Sequence, residues 1–187
     1  HCKLLLVSTG QIYSSSSVAI DESHELKLSN HYAVSKHSME RVAGLSSLDV
    51  KIARSFNYTG VGQDRKFLIP KIISHYKERQ SSITLGDIDV YRDFSDVRDV
   101  TEAYLSILFS DSSEKIFNVC SNTTQSIVDI LSFLNQECGC EMNIDQSAEF
   151  MRTDIVHSVK GDNDRLKILG WKAKYSFFDT LKWMLYD

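Results

Sequence analysis

An α/β fold with a mostly parallel sheet is predicted for this chain by two observations. Short, continuous apolar runs alternate with segments of helical periodicity along the whole sequence, and that alternation is how a parallel sheet is buried between helices. The 187 residues suffice for one domain with a proper core. No internal repeat, low-complexity tract or Pro-rich linker divides them.

The elements follow in order. Lys3 to Thr9 reads as a buried parallel strand that carries hydroxyl side chains to its C-terminal end. Gly10 to Asn30 is polar, with Ser14 to Ser17 as a loop. From Tyr32 to about Ser46 the recurrence of Val34, Met39, Val42 and Leu45 predicts a helix with those residues inward. Val50 to Phe56 is a second buried strand, closed by an Asn57-Tyr58-Thr59-Gly60 turn. Leu68 to about Arg79 is helical, with Pro70 in the first turn, where its missing N–H matters little.

Ile83 to Leu85 and Val90 to Phe94 are short strands around the Gly86-Asp87 turn. Asp96 to Phe109 is a helix that turns Val100, Ala103, Tyr104, Ile107 and Leu108 inward, and Ile116 to Cys120 is another strand. Ser126 is a natural N-cap for a helix running to about Cys138. Short helices over Asp162 to Leu169 and Phe177 to Tyr186 complete the chain.

A net charge of −4 argues against a general nucleic-acid binder, which needs a basic face. It leaves room for a small anion, because a few well-placed arginines can hold a diphosphate bidentately. No apolar run approaches a membrane span, so no membrane partner is expected. Cys138 and Cys140 lack the spacing of a zinc site and Cys2 and Cys120 stand apart. Reduced cysteines in a cytoplasmic protein, with no metal, are expected. Gly60-Val61-Gly62 lacks a third glycine and reads as an ordinary turn.

Tyr32 and Lys36 carry the chemistry. Four residues apart on a helix, they share one face. A phenol titrates at about 10, and a neighbouring ammonium favours its ionised form and moves it toward proton transfer. By itself this spacing equally describes two residues on a solvated helix face. Its surroundings decide the matter: Ser8-Thr9-Gly10-Gln11-Ile12-Tyr13 upstream, Arg54-Ser55-Phe56-Asn57-Tyr58-Thr59-Gly60 downstream, then Tyr91-Arg92-Asp93-Phe94-Ser95-Asp96-Val97-Arg98-Asp99. Arg152-Thr153-Asp154, Gly161-Asp162-Asn163 and Leu169-Gly170-Trp171 follow. Over essentially its whole length the chain resembles the extended short-chain dehydrogenase/reductases, the family of NAD-dependent nucleotide-sugar epimerases, dehydratases and reductases.

The resemblance implies a partial Rossmann-like, doubly wound parallel sheet with a small C-terminal α/β substrate-binding lobe. Residues 1–62 plus later strands would form the C-terminal half of the Rossmann domain, and residues 63–187 most of the lobe. It further implies that Thr9, Tyr32 and Lys36 are catalytic. Thr9 would hydrogen-bond the reacting oxygen, Tyr32 would exchange its proton, and Lys36 would assist Tyr32 and hold the nicotinamide ribose. Phe56 would pack the nicotinamide end of NAD or NADP. Asn57, Phe67, Leu68, Lys71, Arg92 and Arg152 would meet a nucleotide-diphosphate sugar. A homodimer is implied as well, since the family's Tyr-Lys helix and next long helix commonly pair, and the Leu68 to Arg79 stripe suits that use.

Two departures bear on function. Tyr58 and Val61 replace the Pro or His often seen after the Asn. Gln11 stands where the family's 4,6-dehydratases keep an acid that removes the C5 proton, and an amide is no base. Reduction of a 4-keto nucleotide-diphosphate sugar is therefore the first expectation. The Arg-Asp-Phe-Ser-Asp-Val-Arg-Asp stretch is similar to that of the GDP-4-dehydro-6-deoxymannose reductases and their GDP-mannose dehydratase relatives. A 4-epimerase or 4,6-dehydratase is the alternative. The resemblance also sets Lys3 to Thr9 late in the sheet, with about 90 residues in three βα units expected ahead of it. On that expectation residues 1–187 are one truncated unit, which alone seats a dinucleotide poorly and turns over nothing. The rival expectation is a non-catalytic module that binds nucleotide sugar or dimerises.

Overall fold

The computed structural model describes residues 2–147 and 158–187. In chain order the elements are β1 (Lys3–Thr9), α1 (His31–Gly44), β2 (Asp49–Ser55), β3 (Asn57–Thr59), α2 (Leu68–Lys77) and β4 (Ser82–Leu85). Next come β5 (Tyr91–Arg92), β6 (Phe94–Asp96), α3 (Val97–Phe109), β7 (Ile116–Val119), β8 (Gln125–Ser126) and α4 (Ile127–Cys138). The described chain closes with β9 (Asn143–Gln146), β10 (Ser158–Val159), α5 (Asp164–Ile168) and α6 (Phe177–Tyr186). One 3-10 turn, Gly10–Ile12, follows β1 directly.

The main sheet has the order β1-β2-β7, all parallel, with Thr9 opposite Ser55 and Ser55 opposite Val119. The predicted α/β class and parallel pairing are therefore present. Apolar runs fill the sheet because both faces are covered. On one face α3 packs Val100, Ala103 and Ile107 onto Ala53, Phe117 and Val119, together with Leu166 and Trp171. Opposite lies α1. A second, larger core joins α2, α4 and α6 through Ile72, Ile130, Leu134 and Leu181, all at zero exposure. Small sheets pair β4 with β9 and place β5 between β10 and β8.

Local chemistry explains most boundaries. Asn30 caps α1 by accepting from the Ala33 amide at 2.8 Å. Ser126 caps α4 as expected, and Asp129 returns the bond in a capping box. Gly139 ends that helix with a left-handed backbone, φ 63°, which a glycine adopts without strain. Among the described residues no helix is long and apolar enough to cross a membrane.

The structure corrects four expectations. The Leu68 to Arg79 stripe is not a pairing surface: Ile69, Ile72, Ile73 and Tyr76 are buried in the core with α4 and α6. Val34, Val42 and Leu45 do not face inward; they are exposed, and α1 buries Ala33 and Glu40 instead. The reason is that this face of the sheet offers Arg54, which selects a carboxylate rather than an apolar stripe. The Val90 to Phe94 strand is two strands interrupted at Asp93, whose amide donates to the Val159 carbonyl. Finally, Asn57 to Thr59 is not a turn but β3, parallel to β6.

Candidate active site

The site is built where β1 ends. Thr9 is buried, and its Oγ1 accepts from the Gln11 amide at 3.2 Å, which starts the 3-10 turn. That bond occupies a lone pair and leaves the hydroxyl hydrogen free to donate. Gln11 is exposed on the turn. Lys36 reaches across from α1 and donates to the Val7 carbonyl at 3.0 Å, two residues before Thr9. Its Nζ lies 5.8 Å from the centroid of the Tyr32 ring. Tyr32 is half-exposed in the first turn of α1. Lys36 thus ties the Tyr32 helix to β1 two residues before Thr9, and the Tyr32 ring is half-exposed.

A buried polar network fixes α1 against the sheet and so places Tyr32 and Lys36. Arg54 on β2 donates through Nε and an Nη to the two oxygens of Glu40 on α1, at 3.0 and 2.7 Å. Its other Nη donates to the Tyr13 hydroxyl at 3.0 Å, and that hydroxyl donates to Asn118 Oδ1 at 2.7 Å. Burial pushes the Tyr13 phenol up to about 12, although Arg54 pulls the other way. Tyr13 is therefore a neutral structural donor at any physiological pH.

Phe56 forms a floor beside this strand end. It is buried, and it stacks on Tyr13 at 6.3 Å between ring centroids. A Cβ on Gly10 would meet its ring at 3.0 Å, so the residue after Thr9 must be small for the turn to close on Phe56.

The other predicted residues divide. Asn57 pairs with Phe94 and donates from Nδ2 to the carbonyl of Asp93, the residue after Arg92, at 3.2 Å. Arg92 in β5 donates to the Tyr91 carbonyl at 2.8 Å. Phe67 and Leu68 are exposed at the start of α2, and Lys71 donates to the Thr84 carbonyl at 2.6 Å. These three lie in α2 or just before it, and the Thr84 carbonyl that Lys71 binds is in β4. Arg152 lies outside the described residues. Among the described residues no group of three or more His, Cys, Asp or Glu could hold a metal.

Two features escaped sequence reasoning. Ser55, opposite Thr9, shares a 2.8 Å hydrogen bond with Tyr104 on α3. Burial raises that phenol. Asp93, within the quoted Arg-Asp-Phe motif, is wholly buried. Its place in the motif was visible, but the four donors it gathers come from distant segments.

A parallel sheet with a Thr/Tyr/Lys set at a strand end defines an enzyme class, the extended short-chain dehydrogenase/reductases that act as epimerases, dehydratases and reductases. The GDP-mannose 4,6 dehydratase family matches residues 1–184. This chain belongs to that family. It is 33% identical to the GDP-6-deoxy-D-mannose reductase of Pseudomonas aeruginosa, over 98% of this chain and 64% of that protein. It is 30% identical to the GDP-6-deoxy-D-talose 4-dehydrogenase of Aggregatibacter actinomycetemcomitans, over 89% of this chain and 58% of the relative. The chain thus spans less than two thirds of the length of either. In structure it matches RMD from Pseudomonas aeruginosa complexed with NADPH, with TM-score 0.87 and 32% identity, over 97% of this chain and 64% of that one.

Proposed function

We propose that the protein carrying these residues reduces the C4 carbonyl of a nucleotide-diphosphate sugar of the GDP-4-dehydro-6-deoxymannose type. The observation that carries this reading is Lys36, which binds the Val7 carbonyl two residues before Thr9 and lies 5.8 Å from the Tyr32 ring centroid. The similarity to a GDP-6-deoxy-D-mannose reductase supports the substrate class.

A bound NADPH or NADH would supply hydride to the carbonyl carbon. The chain's own residues supply placement and the proton. Thr9 donates its free hydroxyl hydrogen to the carbonyl oxygen. Tyr32 gives its phenolic proton to the same oxygen as charge develops there. The Lys36 ammonium, held in place by the Val7 carbonyl, stabilises the phenolate that remains and meets the ribose hydroxyls. Phe56 backs the nicotinamide end. Asn57, Arg92 and Arg152 bind the diphosphate, while Phe67, Leu68 and Lys71 line the nucleotide. Oxidation of a 4-hydroxyl uses the same groups in reverse, and epimerisation combines the two steps. Dehydration needs a base where Gln11 has an amide.

In this reading the enzyme is a cytoplasmic homodimer that pairs through the exposed Val34, Val42 and Leu45 of α1. The test is Tyr32→Phe in the longest native polypeptide that contains the chain. Turnover of the 4-keto sugar should fall on the order of 10²- to 10⁴-fold, while calorimetry finds nucleotide-sugar affinity nearly unchanged. Equal turnover would sink the assignment.

A further inference from the structure

Asp93 is wholly buried, and the donors to its carboxylate are neutral. Its Oδ1 accepts from the Ser121 amide at 2.8 Å and the Ser121 hydroxyl at 2.7 Å. The other oxygen accepts from the amides of Asn122 at 3.0 Å and Gly161 at 3.2 Å. Its main chain is engaged too: the amide donates to Val159, and the carbonyl accepts from Asn57 Nδ2. One residue therefore ties together the start of β3, the β5–β6 junction, the exit of β7 and the segment after β10.

Burying a carboxylate without a cation is unfavourable, so a position that only needed filling would favour an apolar side chain. What Asp93 provides is convergence. Asn122 is held with φ 60°, a left-handed backbone that a non-glycine residue adopts at some strain. Gly161 is pressed so closely that a Cβ would lie 2.5 Å from Cys120 Sγ and 3.0 Å from the Phe56 ring. Gly161, which donates to Asp93, thus abuts the Phe56 floor, and Asn57 binds the Asp93 carbonyl.

We infer that Asp93 is a positioning residue, which anchors Asn57 and the flanking Arg92 in register with the loop after β7 and the Phe56 floor. This rests on the reading of Asn57 and Arg92 as contacts to the sugar diphosphate. Burial pushes the Asp93 carboxyl up to about 6, against the pull of the Ser121, Gly161 and Asn122 hydrogen bonds. Protonation adds a hydrogen to a group already surrounded by donors, so one bond must open. The anchor accordingly loosens as pH falls through about 6. The titratable neighbour on the β7 side is Cys120, whose thiol burial and the Asp93 charge hold well above its ordinary value. Lys160 and Asp162 flank Gly161, and Arg92 precedes Asp93 in the chain.

The test compares wild type, Asp93→Asn and Ser121→Ala in the longest native polypeptide, with two readouts. Amide NMR of Asn122 and Gly161 should show one shared inflection near pH 6 in the wild type. In Ser121→Ala, which folds with a donor fewer, it should move upward; in Asp93→Asn it should vanish. Independent titration of these amides overturns the inference. Calorimetry with GDP as the probe should show affinity falling about tenfold below the inflection in wild type. Asp93→Asn should be weak at every pH. Wild-type GDP affinity in Asp93→Asn likewise overturns the inference. A wild type that binds no GDP at any pH but keeps the shared inflection would instead overturn the proposed substrate and uphold the anchoring of the loops.

Discussion

Glu40 and Asp93 are two buried carboxylates on opposite sides of the site, and they are stabilised in different ways. Glu40 sits under α1 against a guanidinium that grips both its oxygens. The pair is electrically neutral as a unit, and its geometry is set by two rigid elements, α1 and β2. Asp93 faces a hydroxyl and three backbone amides. These donors hold its charge without cancelling it, and three of them belong to loops. One region is therefore a fixed mount for Tyr32 and Lys36. The other is an anchor whose strength depends on protonation near neutral pH. In a buried site, the kind of partner decides whether a carboxylate is rigid scaffold or responds to solvent conditions.

The contrast can be broken most forcefully at Arg54. Arg54→Met leaves Glu40 buried without a cation and should cost about 3–5 kcal/mol in urea unfolding. Adding Glu40→Leu should recover most of that loss; no recovery would mean that the pair is not the mount. Gly161→Ala forces a Cβ onto Cys120 and Phe56, and overpacking of this kind should cost about 1–3 kcal/mol. Thermal melts would register it, and an unchanged midpoint would show that the Asp93 loops give way easily. Ser121→Ala removes the hydroxyl that donates to Asp93 and accepts from the Thr123 amide, and should cost about 1.5–3 kcal/mol.

The pH dependence is the most specific of these effects. The folded Asp93 carboxyl lies above its ordinary value of 3.8, at about 6. Its contribution to stability is therefore complete below the ordinary value and is lost as pH rises through about 6. The urea midpoint of wild type relative to Asp93→Asn should fall over that interval, while GDP affinity rises. Asp96 runs the other way. Burial pushes it up, but hydrogen bonds from Arg98 and Thr180 outweigh that and hold it below its ordinary value. Its contribution is present above the ordinary carboxylate value and is lost as pH falls below it.

Sequence alone determined the class of fold. Apolar runs and helical spacing are local signals, and so are the Ser126 cap and the Tyr32-to-Lys36 spacing; one stretch of chain contains each of them whole. The inward face of α1 depends on what lies opposite. Val34 and Val42 look like core until Arg54 on another strand selects Glu40. The short strands β8, β9 and β10 carry no apolar period, and they exist only through distant pairing. Asp93 was legible as part of a motif but not as an anchor, because its donors Ser121 and Gly161 lie 28 and 68 residues away. The sequence thus determined which elements form and which side chains can do chemistry. Tertiary structure alone decided which face of each element is buried and which charges meet, since burial and pairing are properties of the space between segments.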